Sequence, residues 1–310
     1  MSSQNQVFAL YKAFVRQTRK LPQLYLRQFW RIKGFDDVRA ILKTDASLKT
    51  RDQKITRMAK DLRKLEGANR RNMQAFNHVL GVAYGRKGKL KRELMEPILT
   101  DPTAPVPAKI IPAVESSRPP VYSGELRALL TSSESRSSRV LSKRQLESPP
   151  KLPPRANPES EEARLLGPFS KRRETNTRWR FFAEEWQKVK PPLEVVVDAD
   201  SHGSTLDNVR SVGIRSLPLQ GLSLFSDVEA LARPRQESVR SKGPRIASKP
   251  HPPRWLRRRY RTLLDHLPIL TYRKSESHTP RYSVSLSPSR MSSRETNAAI
   301  ADSSDLGWLE

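Results

Sequence analysis

The chain has no cysteine and only five histidines in 310 residues. Without thiols there are no disulfides and no thiolate metal sites, and His78, His202, His251, His266 and His278 stand in no metal-ligand spacing. Hydrophobic residues reach only 36% and mean hydropathy is −0.68. At a net charge of +26 this is too little apolar surface to offset the chain entropy of 310 ordered residues, so one small core and a long tail are expected. No apolar run approaches a membrane span, and no secretory leader is expected. No serine lies in a G-x-S-x-G elbow. Acidic pairs such as Asp36-Asp37 and Glu184-Glu185 are sequential neighbours that point in different directions. With no catalytic constellation in view, an enzyme is not expected.

Positive charge is abundant, and it is uneven. Residues 1–100 carry 23 basic against 8 acidic side chains, +15 of the total +26. Such a surface seeks an acidic partner, whether nucleic acid, anionic membrane or acidic protein.

The first periodic stretch has Val7, Leu10, Tyr11, Phe14 and Val15 at helical spacings of three and four. Arg16, Arg19 and Lys20 put positive charge in its last turn, where the helix dipole favours it, and Pro22 marks the stop. Residues 1–20 are basic, amphipathic and free of acid. That fits a mitochondrial targeting segment, but a folded first helix is the preferred reading because the pattern starts almost at Met1. A second helical pattern runs through Tyr25, Leu26, Phe29, Trp30, Val38, Ile41 and Leu42, with Gly34 read as a kink and Asp36 as the cap of a restart. After a turn around Thr44–Ser47, the positions Ile55, Met58, Leu62, Leu65, Asn69, Met73, Phe76, Leu80 and Ala83 form one stripe, which predicts a single long third helix. The segment closes at Tyr84-Gly85-Arg86-Lys87-Gly88. The P-loop spacing is absent there and no strand precedes it, so a solvated basic turn is expected.

From about residue 100 proline and serine take over, including Ser132–Ser138 and Pro149–Pro158, and these stretches are not assigned structure. Pro149-Pro150-Lys151-Leu152-Pro153-Pro154-Arg155 reads as a spacer, with a polyproline II ligand as the alternative. Two islands interrupt the tail. One is the aromatic stretch around Arg178–Trp186. The other is Arg254–Leu264, whose Trp255, Tyr260, Leu263 and Leu264 form an apolar face suited to docking back on the bundle. Its arginines interleaved with rings also suit RNA. The strand-like Leu193–Asp198 is too isolated to build a sheet on. Ser287-Pro288 is an exposed phosphorylation candidate. The expected fold is therefore all-α: a small three-helix bundle over 1–100, then a largely disordered basic Pro/Ser-rich tail over 101–310 with short helices near 174–190 and 253–267.

Leu10-Tyr11-Lys12 lies on the first helix of a basic three-helix segment. Phe14 follows, then the Leu21-Pro22 break, a basic aromatic second helix, the stretch Asp61–Asn69 and the turn Ala83–Gly88. In these features the chain resembles the LYR-motif family of small mitochondrial adaptor and assembly proteins, particularly its fungal-type members with long tails. The resemblance covers roughly residues 5–100. It implies a three-helix LYR-like bundle and a mitochondrial acyl carrier protein as partner, whose acyl-phosphopantetheine enters between the helices, with no cofactor bound directly by this chain. It implies further a location in the mitochondrial matrix, and a role in respiratory-complex, iron–sulphur or mitoribosome assembly through a client. Tyr11 and Lys12 match the motif positions that meet the carrier, and Leu10 packs inward. Lys12 stands where arginine is usual, keeping the charge without the planar fork. Val38, or Phe35 one turn earlier, matches the family's second-helix phenylalanine position. Arg16, Arg19, Lys20, Arg31 and Arg39 are further contacts argued from charge. The alternative function is a basic RNA-binding or ribosome-associated protein acting through the Arg/aromatic tail segments.

Overall fold

Amphipathic spacing, end signals and a few close helix crossings account for most of the architecture. The computed structural model describes residues 3–45, 49–101, 104–142, 145–146, 152–198, 224–233, 251–273 and 281–286. In chain order its helices are α1 (Ser3–Thr18), α2 (Leu24–Leu42), α3 (Lys49–Asn69), α4 (Met73–Ala83), α5 (Lys89–Leu99), α6 (Gly124–Thr131), α7 (Glu161–Leu166), α8 (Lys171–Gln187), α9 (Leu224–Ala232) and α10 (Pro253–Leu264). The strands are β1 (Val195–Asp198), β2 (Pro268–Arg273) and β3 (Arg281–Leu286). The described residues are thus mostly helical, as the sequence predicts, with one small sheet. The chain divides into two compact units, residues 1–91 with 226–264, and residues 92–225 with 265–310.

In the first unit α1 and α2 pack closely because Gly34 has no side chain. A Cβ at Gly34 would lie 2.6 Å from the Phe14 ring, which fills that space and meets Trp30 with ring centroids 6.2 Å apart. Gly34 therefore serves helix packing, and neither the expected kink nor the restart at Asp36 occurs, since α2 runs unbroken from Leu24 to Leu42. Val7, Phe14, Leu26, Trp30, Val38 and Ile41 are buried between the helices. Removing each from water contributes on the order of 1.5–3 kcal/mol.

The third helix departs from the sequence expectation. The stripe from Ile55 to Ala83 lies on two helices, with a turn at residues 70–72. Asn72 N–H donates to Gly67 O and Arg71 N–H to Ala68 O, and Arg71 sits at φ 65. This is a Schellman stop made with a non-glycine residue. Asn72 then caps α4 by accepting from Ala75 N–H at 3.0 Å. Residues 69 and 73 are four apart, so the stripe kept its helical step across the turn, and the break had no signature in the hydrophobic pattern. At the far end of α4, Arg86 N–H to Gly81 O and Gly85 N–H to Val82 O form a second Schellman stop, now with glycine at φ 67. The turn predicted at Tyr84–Gly88 is therefore present, but only Lys87 and Gly88 are solvated: Tyr84 and Gly85 are buried, and burial lowers the Arg86 pKa to about 9.

α10 packs on α4, as its apolar face predicts. Trp255 meets Phe76 edge-on at 4.7 Å, Tyr260 meets Tyr84 edge-on at 6.5 Å, and Tyr260, Leu263 and Leu264 are buried.

The second unit is built on α6, α8 and the sheet, around Met95, Ile98, Leu126, Leu130, Phe182, Val195 and Leu270. The island predicted near 174–190 is α8. The strand-like 193–198 stretch, expected to be too isolated for a sheet, is β1. It pairs parallel with β2, and β2 pairs antiparallel with β3, in the order β1-β2-β3. Its partner lies some seventy residues on, beyond the reach of local pattern. The stretch 132–138, assigned to the tail from composition, is anchored. The Ser135 hydroxyl donates to Leu129 O, and buried Arg136 pairs with Glu185 at 2.6 Å. Residues 154–156 of the proline-rich stretch form a short 3-10 turn, while Pro149–Lys151 and Ser287-Pro288 lie outside the described residues.

Candidate functional site

Two contacts fix which flank of the α1–α2 pair is closed by α3. The Asn69 side-chain amide donates to Gln17 O and Gln17 Oε1, both at 3.0 Å, so the Leu10/Gln17 side of α1 faces α3. Lys33 donates to Asp61 and to Asp37, both at 2.6 Å, so the Lys33/Asp37 side of α2 also faces α3. Burial alone would lower the Lys33 pKa, but Asp61 and Asp37 outweigh it and the net shift is upward. This clamp ties the second helix to the third.

Successive helical residues are about 100° apart. With Phe14 and Gly34 turned to each other, Phe8, Tyr11 and Lys12 on α1 and Arg31, Phe35 and Arg39 on α2 fall on the flank away from α3. Exposure agrees with this placement. Lys12, Arg31 and Arg39 are exposed, Tyr11 is half-buried, and Phe8 and Phe35 leave 46% and 54% of their surfaces in water. The open flank is therefore a patch of three rings and three cations.

The other sequence-predicted residues lie elsewhere. Phe14 and Val38 are core residues, 0% and 6% exposed, and any partner group meeting them has to enter between the helices. Leu10 is half-buried on the α3 side, and Arg16 is exposed on the outer face of α1. Arg19 and Lys20 line a cleft of about 1070 Å³ at the α1–α2 turn, away from the tripeptide. Sequence reasoning missed Phe8. The signal was there, since an aromatic one step off the buried stripe has no core to enter. Phe35 is too exposed to serve as a core ring, so of the two second-helix alternatives Val38 is the one in the interior.

The α2–α4 side of the bundle is fixed by Tyr25, whose hydroxyl donates to Ala83 O at 2.7 Å and whose pKa is pushed up to about 12 by burial. Among the described residues no cluster of three or more His, Asp or Glu side chains is arranged to hold a metal, and no helix is long and apolar enough to cross a membrane.

Residues 10–95 match the family model described as LYRM2-like, LYR motif-containing protein 2-like. The match begins at the tripeptide and covers α1 from Leu10, all of α2, α3 and α4, and α5 up to Met95, less than a third of the chain. No curated protein and no solved structure matches. Over this segment the chain is similar to the LYR-motif family.

Proposed function

We propose, from the family-model match over residues 10–95, that the chain is a non-catalytic mitochondrial adaptor whose α1–α2 flank docks an acyl carrier protein. One observation carries the reading: Leu10-Tyr11-Lys12 opens the matched segment, and its Tyr11 and Lys12 share the flank away from α3 with Arg31, Phe35 and Arg39. Carrier proteins of this class are acidic, so the cations steer the encounter and set its orientation, while Phe8, Tyr11 and Phe35 supply apolar contact. An acyl-phosphopantetheine chain borne by the carrier would enter between α1 and α2 toward Phe14 and Val38. The chain holds no cofactor of its own in this reading, and its part is to present one protein to another. The client belongs to respiratory-complex, iron–sulphur or mitoribosome assembly in the matrix, and is recruited by residues beyond the matched segment.

The test is affinity purification of the tagged full chain from mitochondria. The carrier protein is expected to co-purify with the wild type and to be lost with Tyr11→Ala combined with Lys12→Ala. Retention by the double variant overturns the motif reading.

A further inference from the structure

The second basic surface of the first unit belongs to neither the matched segment alone nor the tripeptide. α10 uses its apolar half to dock on α4, through Trp255 on Phe76 and buried Tyr260, Leu263 and Leu264. Its other half is left outward, with Arg254, Arg258 and Arg261 exposed at spacings of four and three, one stripe on the helix surface. At about 1.5 Å rise per residue this stripe is roughly 10 Å long. The start of the helix, Pro253 and Leu256, lines the same cleft of about 1070 Å³ that holds Arg19, Lys20, Arg27 and Arg70. One carboxylate, Glu66, faces these four cations across the cleft. No ion pair involves any of the seven among the described residues.

His251 marks the cleft as more than a charged rim. It is 2% exposed and stacks on Trp255 at 5.3 Å and 13°, yet neither ring nitrogen has a hydrogen-bond partner. A buried polar group left without a partner destabilises the fold, and a ligand reaching into the cleft would relieve this.

We propose that this face binds single-stranded RNA, with the sugar–phosphate backbone tracking Arg254, Arg258 and Arg261 and one splayed nucleotide entering the cleft between Arg19, Arg27, Arg70 and His251. A cleft of this size admits a nucleotide, and a duplex cannot offer one without unpairing. Insertion into a membrane is disfavoured by the same geometry, because the apolar face an interfacial helix needs is already spent on α4. The proposal is independent of carrier docking, which uses the flank around Tyr11.

The experiment is fluorescence anisotropy of the full chain with a labelled oligouridylate of about a dozen nucleotides, between about 50 and 300 mM potassium chloride. Each phosphate neutralised contributes about −0.7 to the slope of log affinity against log salt for a single strand. Changing Arg254, Arg258 and Arg261 together to Gln is expected to make the slope shallower by about 2 and to weaken binding at least tenfold at low salt. Arg70→Gln alone is expected to change the slope by about 0.7, and an RNA duplex of equal length to bind at least tenfold more weakly than the single strand. All three arginines on α10 are exposed, so the triple variant is expected to fold and to retain the carrier protein. An unchanged slope in the triple variant overturns the proposal. So does a duplex bound as tightly as the single strand. Loss of carrier co-purification with RNA affinity intact would assign the face to an acidic protein and overturn it equally.

Discussion

The Tyr260 hydroxyl donates a hydrogen bond to the Gln23 side-chain carbonyl, 237 positions earlier in the chain. Gln23 is the residue just before α2, so α10 is tied to the start of the second helix as well as to α4. The matched family segment ends at residue 95, and here the bundle is completed by a helix from far beyond it. Tyr260 is 1% exposed, and its replacement separates the two contributions. Tyr260→Phe keeps the ring and removes only the hydroxyl, and should cost about 1 kcal/mol. Tyr260→Ala also leaves a cavity and should cost about 3–5 kcal/mol. Urea unfolding of the full chain, followed through the unit's tryptophans, measures both. Equal, negligible losses would mean that α10 does not close the bundle.

Gly34 tests the α1–α2 crossing. Alanine in a helix interior gains up to about 1 kcal/mol over glycine, but its Cβ would stand 2.6 Å from the Phe14 ring, and overpacking of this kind costs about 1–3 kcal/mol. The clash should win, making Gly34→Ala net destabilising. Adding Phe14→Leu should make the two changes less than additive, because the smaller side chain vacates the contact. A stabilising Gly34→Ala would contradict the close approach.

In the second unit, Arg136 and Glu185 are 5% exposed each and pair at 2.6 Å, with Lys188 also 2.6 Å from Glu185. Burial raises the Glu185 pKa, but Lys188 and Arg136 more than reverse this and hold its carboxyl below the usual range. Glu185→Ala strands the guanidinium and should cost about 3–5 kcal/mol, whereas Arg136→Met with Glu185→Leu should come close to neutral. Chemical denaturation distinguishes them. An Ala variant as stable as the wild type would show that the pair is not desolvated.

His251 gives the bundle a pH dependence. In the unfolded chain it titrates near its ordinary 6.5, while in the fold burial, reinforced by Arg71, lowers its pKa. Through the window below 6.5 the unfolded chain takes up a proton that the folded chain does not. The associated stability is therefore complete above pH 6.5 and declines as pH falls. His78 is shifted the same way, by burial and by Lys87. Thermal midpoints measured from about pH 7.5 down to 5.5 should fall, and should fall less in His251→Phe. Identical profiles would remove His251 from the explanation.

Where the sequence carried a local physical signal, the structure could be read from it. The five-residue stripe of α1, the basic turn closing α4 and the docking face of 254–264 each rest on spacing, and each is present. The break at residues 70–72 was hidden because its Schellman stop uses Arg71 rather than glycine, and because Asn69 and Met73 keep the helical step. Gly34 read as a kink because its reason, the Phe14 ring, lies on another helix. β1 and the Arg136–Glu185 pair depend on partners tens of residues away, which no window along the chain contains. Of the residues named from the sequence, Tyr11, Lys12, Arg31 and Arg39 share one flank, while Arg16, Arg19 and Lys20 lie elsewhere. The closed and open flanks were not legible, because they are set by Asn69–Gln17 and Lys33–Asp61, contacts that join α3 to α1 and α2.

Carrier docking through the tripeptide is tested most directly by titrating purified acyl carrier protein onto the full chain and onto variants at positions 11 and 12 in a calorimeter. Tyr11→Ala with Lys12→Ala should weaken binding by at least a hundredfold. Lys12→Arg should match or exceed the wild type, since the guanidinium keeps the charge and adds a fork for carboxylate or phosphate. Wild-type affinity in the double variant would contradict docking through this tripeptide.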